Sequence, residues 1–257
     1  VKCASNLRQI GQAILLYANE NKGAYPRTYY VSVASPGTCT WAGGTGGTGA
    51  FNGTGTTPSE PFATGGPTAN DVSAALFLLL RTQEIGSEVF TCPSSNAEKW
   101  DFGGGSNTAL NWNNWFGSAN MVKNLSYSYQ VPYPDQTAVA GGFKLNTAIT
   151  AEFAVASDMN PGTSGNNDNV LNVQSTSPTS IMKQGNSNNH DEDGQNVLYG
   201  DGHVEFQQNP FCGVARDMIF GRKTSTTGFQ SSFGGTNGTQ NTPFNADDST
   251  LMPPDDP

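Results

Sequence analysis

A chain that opens with a strongly one-sided helix has to supply a second surface to cover it. Cys3, Leu7, Ile10, Ile14 and Tyr17 recur at spacings of three and four residues, the signature of a helix with one apolar stripe. Gly11 and Ala18 stand beside that stripe and permit close packing, and Leu15 and Leu16 widen it. Gly23 is suited to the left-handed residue after a helix, and Pro26 lies just beyond, so the spacing predicts a helix over 1–22. The pattern is already running at Val1, with no capping residue and no initiator Met before it. The reading therefore expects a preceding segment that was removed or left out.

Strands come later in the chain. Four runs have β character: 125–133, 148–157, 195–200 and 203–207. The last two are separated by Asp201-Gly202, a strong hairpin signal. Residues 27–34, aromatic and β-branched, read as one more short strand. A second helix is expected from an N-cap at Asn70, with Val72, Ala75, Leu76, Leu79 and Leu80 as its stripe and Gly86 after it. Helices and an antiparallel sheet segregated along the chain predict an α+β fold, the N-terminal helix packed on a sheet of about four strands.

Composition limits what else the chain can be. Of 257 residues only 35% are hydrophobic and 13% charged, against roughly 45–50% and 25% in ordinary domains. Glycine, with 31 residues, and uncharged polar residues fill the gap, as in extracellular proteins that stay soluble without much charge. No run approaches the ~20 apolar residues of a membrane span. Twelve basic against 21 acidic residues give a net charge of −9, which repels nucleic acid. Residues 42–69 form a Gly/Thr/Pro-rich loop insertion, 159–189 a polar loop, and 226–257 a polar tail after a globular domain over 1–225.

Three blocks resemble one family. "CASNLRQIGQAILLYANENKGAYP" (3–26), "LLLRTQEIGSEVFTCPSS" (78–95) and "NHDEDGQNVLYGDGHVEF" (189–206) are similar, in order, to blocks of bacterial prepilin-type proteins, the type IV pilins and type II secretion pseudopilins. The third resembles their C-terminal H-x9-DG signature, with one departure: ten residues rather than nine separate His190 from Asp201. The extra residue is placed in the acidic loop 191–194. The family's apolar membrane helix is absent here, so contact with a membrane is expected only through that missing segment. The resemblance implies a pilin-like fold and a structural subunit of an extracellular or periplasmic filament. Such a subunit associates with copies of itself or with related subunits, and its interface is expected on the helix stripe Leu7, Ile10, Ile14 and Tyr17. The tail 226–257 is expected to lie on a neighbouring subunit.

Other residues invite chemistry. Cys3, Cys39, Cys92 and Cys212 lack CxxC spacing, and an extracellular composition favours at least one disulfide among three connectivities. Asp158, His190 and Asp201 match positions that the family signature keeps. They are read either as a metal or hydrogen-bonding cluster or as structural residues, with Asp158 ending a strand, Asp201 making a turn and His190 holding a loop carbonyl. Asp191, Glu192 and Asp193 add hard oxygen donors that suit calcium, the cation that the resemblance to pseudopilins implies, against a solvated acidic turn. Asn166, Asn167 and Asp168 form a second such group. No cofactor is required. Trp100, Trp112 and Trp115, among Asn and Gly, suggest a polysaccharide-stacking surface and hence an alternative, a secreted binding module; a small core beneath a loop is the competing reading. Asn52, Asn124 and Asn237 lie in N-glycosylation triplets. Two histidines, no nucleophile elbow, no HExxH and no phosphate loop lead to the expectation that the chain is not an enzyme.

Overall fold

The computed structural model describes residues 1–41, 60–62, 64–115, 121–163, 170, 173–223, 231–232 and 240–255. Helix α1 spans Lys2–Glu20. It ends where the backbone turns left-handed at Lys22 and Gly23, and the Gly23 N–H caps the Ala18 carbonyl at 2.8 Å. The expected stripe is its buried face: Cys3, Leu7, Ile10, Ile14 and Tyr17 are all buried, together with Asn6, Gly11, Ala13 and Ala18. Leu15 and Leu16 do not join it; they are 39% and 56% exposed, one step around the helix from the stripe.

The fold is α+β, and its centre is one antiparallel sheet of five strands rather than four. In chain order these are β2 (Tyr127–Gln130), β3 (Ala154–Asp158), β4 (Gln195–Tyr199), β5 (Val204–Gln207) and β9 (Leu251–Met252), arranged spatially as β5-β4-β3-β2-β9. Four short strands outside it form two pairs: β1 (Thr38–Cys39) with β8 (Gln240–Asn241), and β6 (Arg222–Lys223) with β7 (Ser231–Ser232). The β4–β5 hairpin falls where Asp201-Gly202 placed it. Its loop has three residues, Gly200, Asp201 and Gly202, and Gly202 takes φ +88°, the left-handed position of such a loop.

Helix α1 lies across this sheet. It packs tightly at Gly11, where a Cβ would sit 2.9 Å from Leu198 Cδ1 of β4. The same face carries Tyr127, which meets Asn6, and Tyr129, whose hydroxyl reaches the Pro26 carbonyl.

Helix α2 (Val72–Thr82) is buried on every side from Val72 to Leu80. Its N-cap is Asp71, not Asn70: Asp71 Oδ1 accepts from the Ala74 N–H at 2.9 Å. Asn70 instead takes a left-handed φ of 58°, and its side-chain amide pairs with both backbone groups of Val31 at 2.9 Å. That pairing explains why 27–34 is not a strand. Its backbone groups bond to the Asn70 side chain, the Tyr133 hydroxyl and the Pro61 carbonyl, so no ladder forms.

The tail is also corrected. Residues 242–255 fold on their own chain, with β9 registering Leu251 and Met252 against Gln130 and Tyr129. This part of the tail is therefore a strand of the central sheet. Most of the Gly/Thr-rich insertion, 42–59, lies outside the described residues.

Candidate functional site

The three family-like blocks meet at the start of α1. Cys3, in the first turn, forms a disulfide with Cys92, which follows the short 3₁₀ turn Ser87–Phe90 of the second block. One turn on, Asn6 is buried and its amide donates to the Thr91 carbonyl at 2.9 Å and to the Tyr127 hydroxyl at 3.0 Å. Burial holds the Tyr127 phenol well above its usual pKa, so it remains a protonated hydrogen-bonding partner. The expected disulfide is thus Cys3–Cys92, while Cys39 and Cys212 carry thiols; burial pushes that of Cys212 up to about 12.

Against this disulfide stands a buried carboxylate. Asp158 ends β3, as expected, and is fully buried. Its Oδ2 accepts three N–H groups: Asn196 backbone at 2.6 Å, Asn196 side chain at 2.8 Å, and His190 Nε2 at 3.0 Å. Its Oδ1 is buried and accepts none. Because a carboxylate only accepts, the imidazole carries its proton on Nε2. The hydrogen bond to Asp158 raises the His190 pKa above its ordinary value, against the opposing effect of burial. His190 also meets the edge of Phe206 at 5.9 Å. It therefore holds a carboxylate, not a loop carbonyl. A ring nitrogen of His190, an oxygen of Asp158 and the sulfurs of Cys3 and Cys92 all lie within 4.8 Å of one another.

The six expected metal ligands do not gather. Asp158 and His190 meet, but Asp201 is at the far end of the hairpin, where Oδ1 lies 2.5 Å from His203 Nδ1 in an exposed pair. The His203 backbone N–H and then its ring hold the Asp201 carboxyl below its usual pKa. Asp193 turns to Lys183 at 2.5 Å, also at the surface. Asp191 is exposed and Glu192 half-buried, both in left-handed backbone, and neither belongs to the cluster around Asp158. The acidic run thus lies at the surface, its carboxylates apart from the group around Asp158. The group at Asn166, Asn167 and Asp168 lies outside the described residues, as do Asn52 and Asn237. Asn124 is half-buried, and its amide nitrogen is engaged by the Glu98 carbonyl at 2.8 Å.

The tryptophans are core. Trp115 is fully buried between Phe77 and Phe90, with ring centroids 5.1 and 5.4 Å away. Trp100 and Trp112 are buried at 4.9 Å from each other, and the Trp112 indole N–H donates to the Phe102 carbonyl. None of the three offers a ring face to a sugar. The helix stripe is likewise spent inside the chain: Leu7, Ile10, Ile14 and Tyr17 are covered by its own sheet and loops, so an interface between subunits cannot be built from them. A surface cleft of about 660 Å³ lies near the other end of α1, lined by Tyr17, Tyr25, Arg27, Tyr30, Phe143 and Lys144.

The sequence pairs Asp158 with His190 and implies a disulfide, but it does not choose the Cys3–Cys92 pairing or give Asn196 a role. Their only signal is position: Cys3 and Cys92 sit in the two blocks whose order matches the third. No protein-family model, curated protein or solved structure matches this chain. No helix among the described residues is long and apolar enough to cross a membrane.

Proposed function

We propose that this chain is the pilin-like head of a structural, non-catalytic subunit of an extracellular or periplasmic filament, acting by association with copies of itself or with related subunits. The observation that carries this reading is the convergence at the start of α1. Cys3 and Asn6 from the first block, Thr91 and Cys92 from the second, and His190 and Asn196 from the third form one clamp between helix and sheet. A clamp at a helix terminus resists the helix being peeled from its sheet, which a filament subunit held through that helix requires. A disulfide in it suits an oxidising compartment. The surface left for assembly is the outer side of α1, where Leu15 and Leu16 are exposed.

Sedimentation velocity over rising protein concentration, with electron microscopy of the same samples, tests the reading. Self-association that weakens in Leu16→Asp is expected. A strictly monomeric protein at every concentration, with no cross-links between copies, would reject it.

A further inference from the structure

The ligand atoms beside the disulfide have a property that the clamp does not use. Two sulfurs, an imidazole nitrogen and a carboxylate oxygen within 4.8 Å of one another form the donor set of a tetrahedral site for a borderline-soft divalent metal. With zinc–sulfur bonds of about 2.3 Å, the sulfurs of a tetrahedral site stand about 3.8 Å apart. Opening the disulfide therefore needs only a small side-chain movement, because the two Cα atoms are 5.4 Å apart. A second observation is independent of the cysteines: Asp158 is fully buried, and its Oδ1 accepts no hydrogen bond. An orphaned carboxylate oxygen at full burial costs free energy unless a cation or donor comes to it.

We propose that Cys3, Cys92, Asp158 and His190 form a redox-gated zinc-class site, in which the oxidised chain clamps α1 by a disulfide and the reduced chain clamps it by a metal ion. Opening requires a reductant of the dithiol class. Thiol–disulfide exchange breaks the Cys3–Cys92 bond, gives both cysteines as thiols and leaves the reductant as its own disulfide. The divalent ion then displaces the two thiol protons to solvent, and the imidazole binds as the neutral ring through one nitrogen while the other nitrogen holds the single ring proton. Asp158 binds through the oxygen that the oxidised state leaves unpaired, while Oδ2 keeps the two N–H groups of Asn196, which hold the carboxylate in place as an outer partner of a metal site does. The site is closed, with four protein ligands and no open position, which marks it as structural rather than catalytic.

The test uses the whole chain, reduced by a phosphine, which becomes its oxide with oxygen from water, and titrated with Co²⁺ under anaerobic conditions. The expected result is one equivalent bound with the intense visible bands of tetrahedral cobalt and a thiolate-to-metal charge-transfer band. Zn²⁺ should displace it, and the oxidised protein should show no such bands. Asp158→Asn and His190→Ala should each weaken binding about tenfold or more, while Ellman titration still shows the disulfide in their oxidised forms. A reduced, folded protein that binds no cobalt, or one whose two variants bind like the parent, would overturn the proposal. If reduction unfolds the chain, the reading is the denaturant midpoint of reduced protein with and without Zn²⁺. A midpoint that Zn²⁺ leaves unchanged would equally overturn it.

Discussion

Cutting the Cys3–Cys92 bond gives the most quantitative expectation. The bridge joins residues 89 apart in sequence and so closes a loop of roughly 90 residues. The chain-entropy relation assigns such a loop about 15 cal/mol/K of denatured-state entropy, or about 4.6 kcal/mol at room temperature. With a urea dependence of roughly 2–3 kcal/mol/M, the unfolding midpoint should fall by about 1.5–2.3 M on reduction, the slope changing little. The measurement is a urea titration followed by far-UV circular dichroism, oxidised against reduced, in EDTA so that no metal replaces the bond. Cys3→Ala, Cys92→Ala and the double variant complete the set. If the bond is what stabilises, each single variant should cost nearly as much as the double, because either one removes the same cross-link. A midpoint shift below about 0.3 M, under ~1 kcal/mol, or single costs that simply add, would refute the loop-closure reasoning.

Four further outcomes follow from other parts of the fold. Gly11→Val should destabilise by about 1–3 kcal/mol by overpacking, since even a Cβ there meets Leu198 at 2.9 Å; a neutral thermal melt would show that α1 can lift off β4 freely. Arg222→Met should cost about 3–5 kcal/mol, because it strands buried Asp135, whose Oδ2 pairs with the guanidinium at 3.1 Å; adding Asp135→Asn should recover part of the loss in the same urea assay. Asp248 is buried, and desolvation raises its carboxyl to about 7 although backbone N–H groups of Phe244 and Lys223 oppose this. A folded pKa above the unfolded one gives stability that is full below the ordinary carboxylate range and lost as pH rises through about 7, so the melting temperature should fall across that window, and Asp248→Asn should lessen that fall, the remainder coming from buried Asp217, whose carboxyl is also raised by desolvation and then by Asp248. Ser128→Ala removes the group that donates to the Pro253 carbonyl at 2.7 Å and accepts from the Asn160 N–H at 2.8 Å; two buried backbone groups left unpaired should cost about 2–4 kcal/mol, read by urea unfolding.

Local signals were legible in the sequence, and distant pairings were not. The periodicity of Cys3, Leu7, Ile10, Ile14 and Tyr17 located α1 to within two residues at its C-terminal end, because burial of one face is written in every third or fourth position. Asp201-Gly202 marked a hairpin for a similarly local reason, although the loop takes Gly200 as well. Strand β9 was missed because two residues carry no period, and its partner Gln130 is more than a hundred residues away. Asn70 and Asp71 are both able to cap a helix; only the Val31 backbone across the loop decides that Asn70 is used elsewhere. Leu15 and Leu16 show the limit of composition. Apolar residues beside a stripe extend it only if the covering sheet is wide enough, and here it is not. At the site, Asp158 and His190 were visible through the resemblance, but the choice of Cys3–Cys92 among three connectivities required the fold.

How so polar a chain seals a sheet on both faces is answered by the register. One face, carrying Tyr127, Tyr129, Ala156 and Leu198, receives α1 and is closed by apolar contact together with the polar clamp of Asn6, Asp158, His190 and Asn196. The other face carries Ser128, Gln130, Ser157 and Gln195, all fully buried. The returning chain closes it with hydrogen bonds. Ser128 reaches the Pro253 carbonyl, Gln130 Oε1 accepts the Thr250 N–H at 2.8 Å, Gln195 donates to the Asn209 carbonyl at 3.0 Å, and Asn160 donates to the Leu251 carbonyl at 2.9 Å. Each of these amides or hydroxyls satisfies a backbone group of the returning segment, so chain with little ladder of its own can be buried with its backbone paired. These bonds work beside apolar contacts on the same face, where Val197 is buried in register with Ser157 and the returning chain buries Ile219, Phe220, Leu251 and Met252, in a chain whose hydrophobic fraction is 35%. The arrangement also fixes where the chain is brittle: an apolar face tolerates swaps of similar volume, whereas each member of a hydrogen-bonded face is matched to a particular partner and has no substitute.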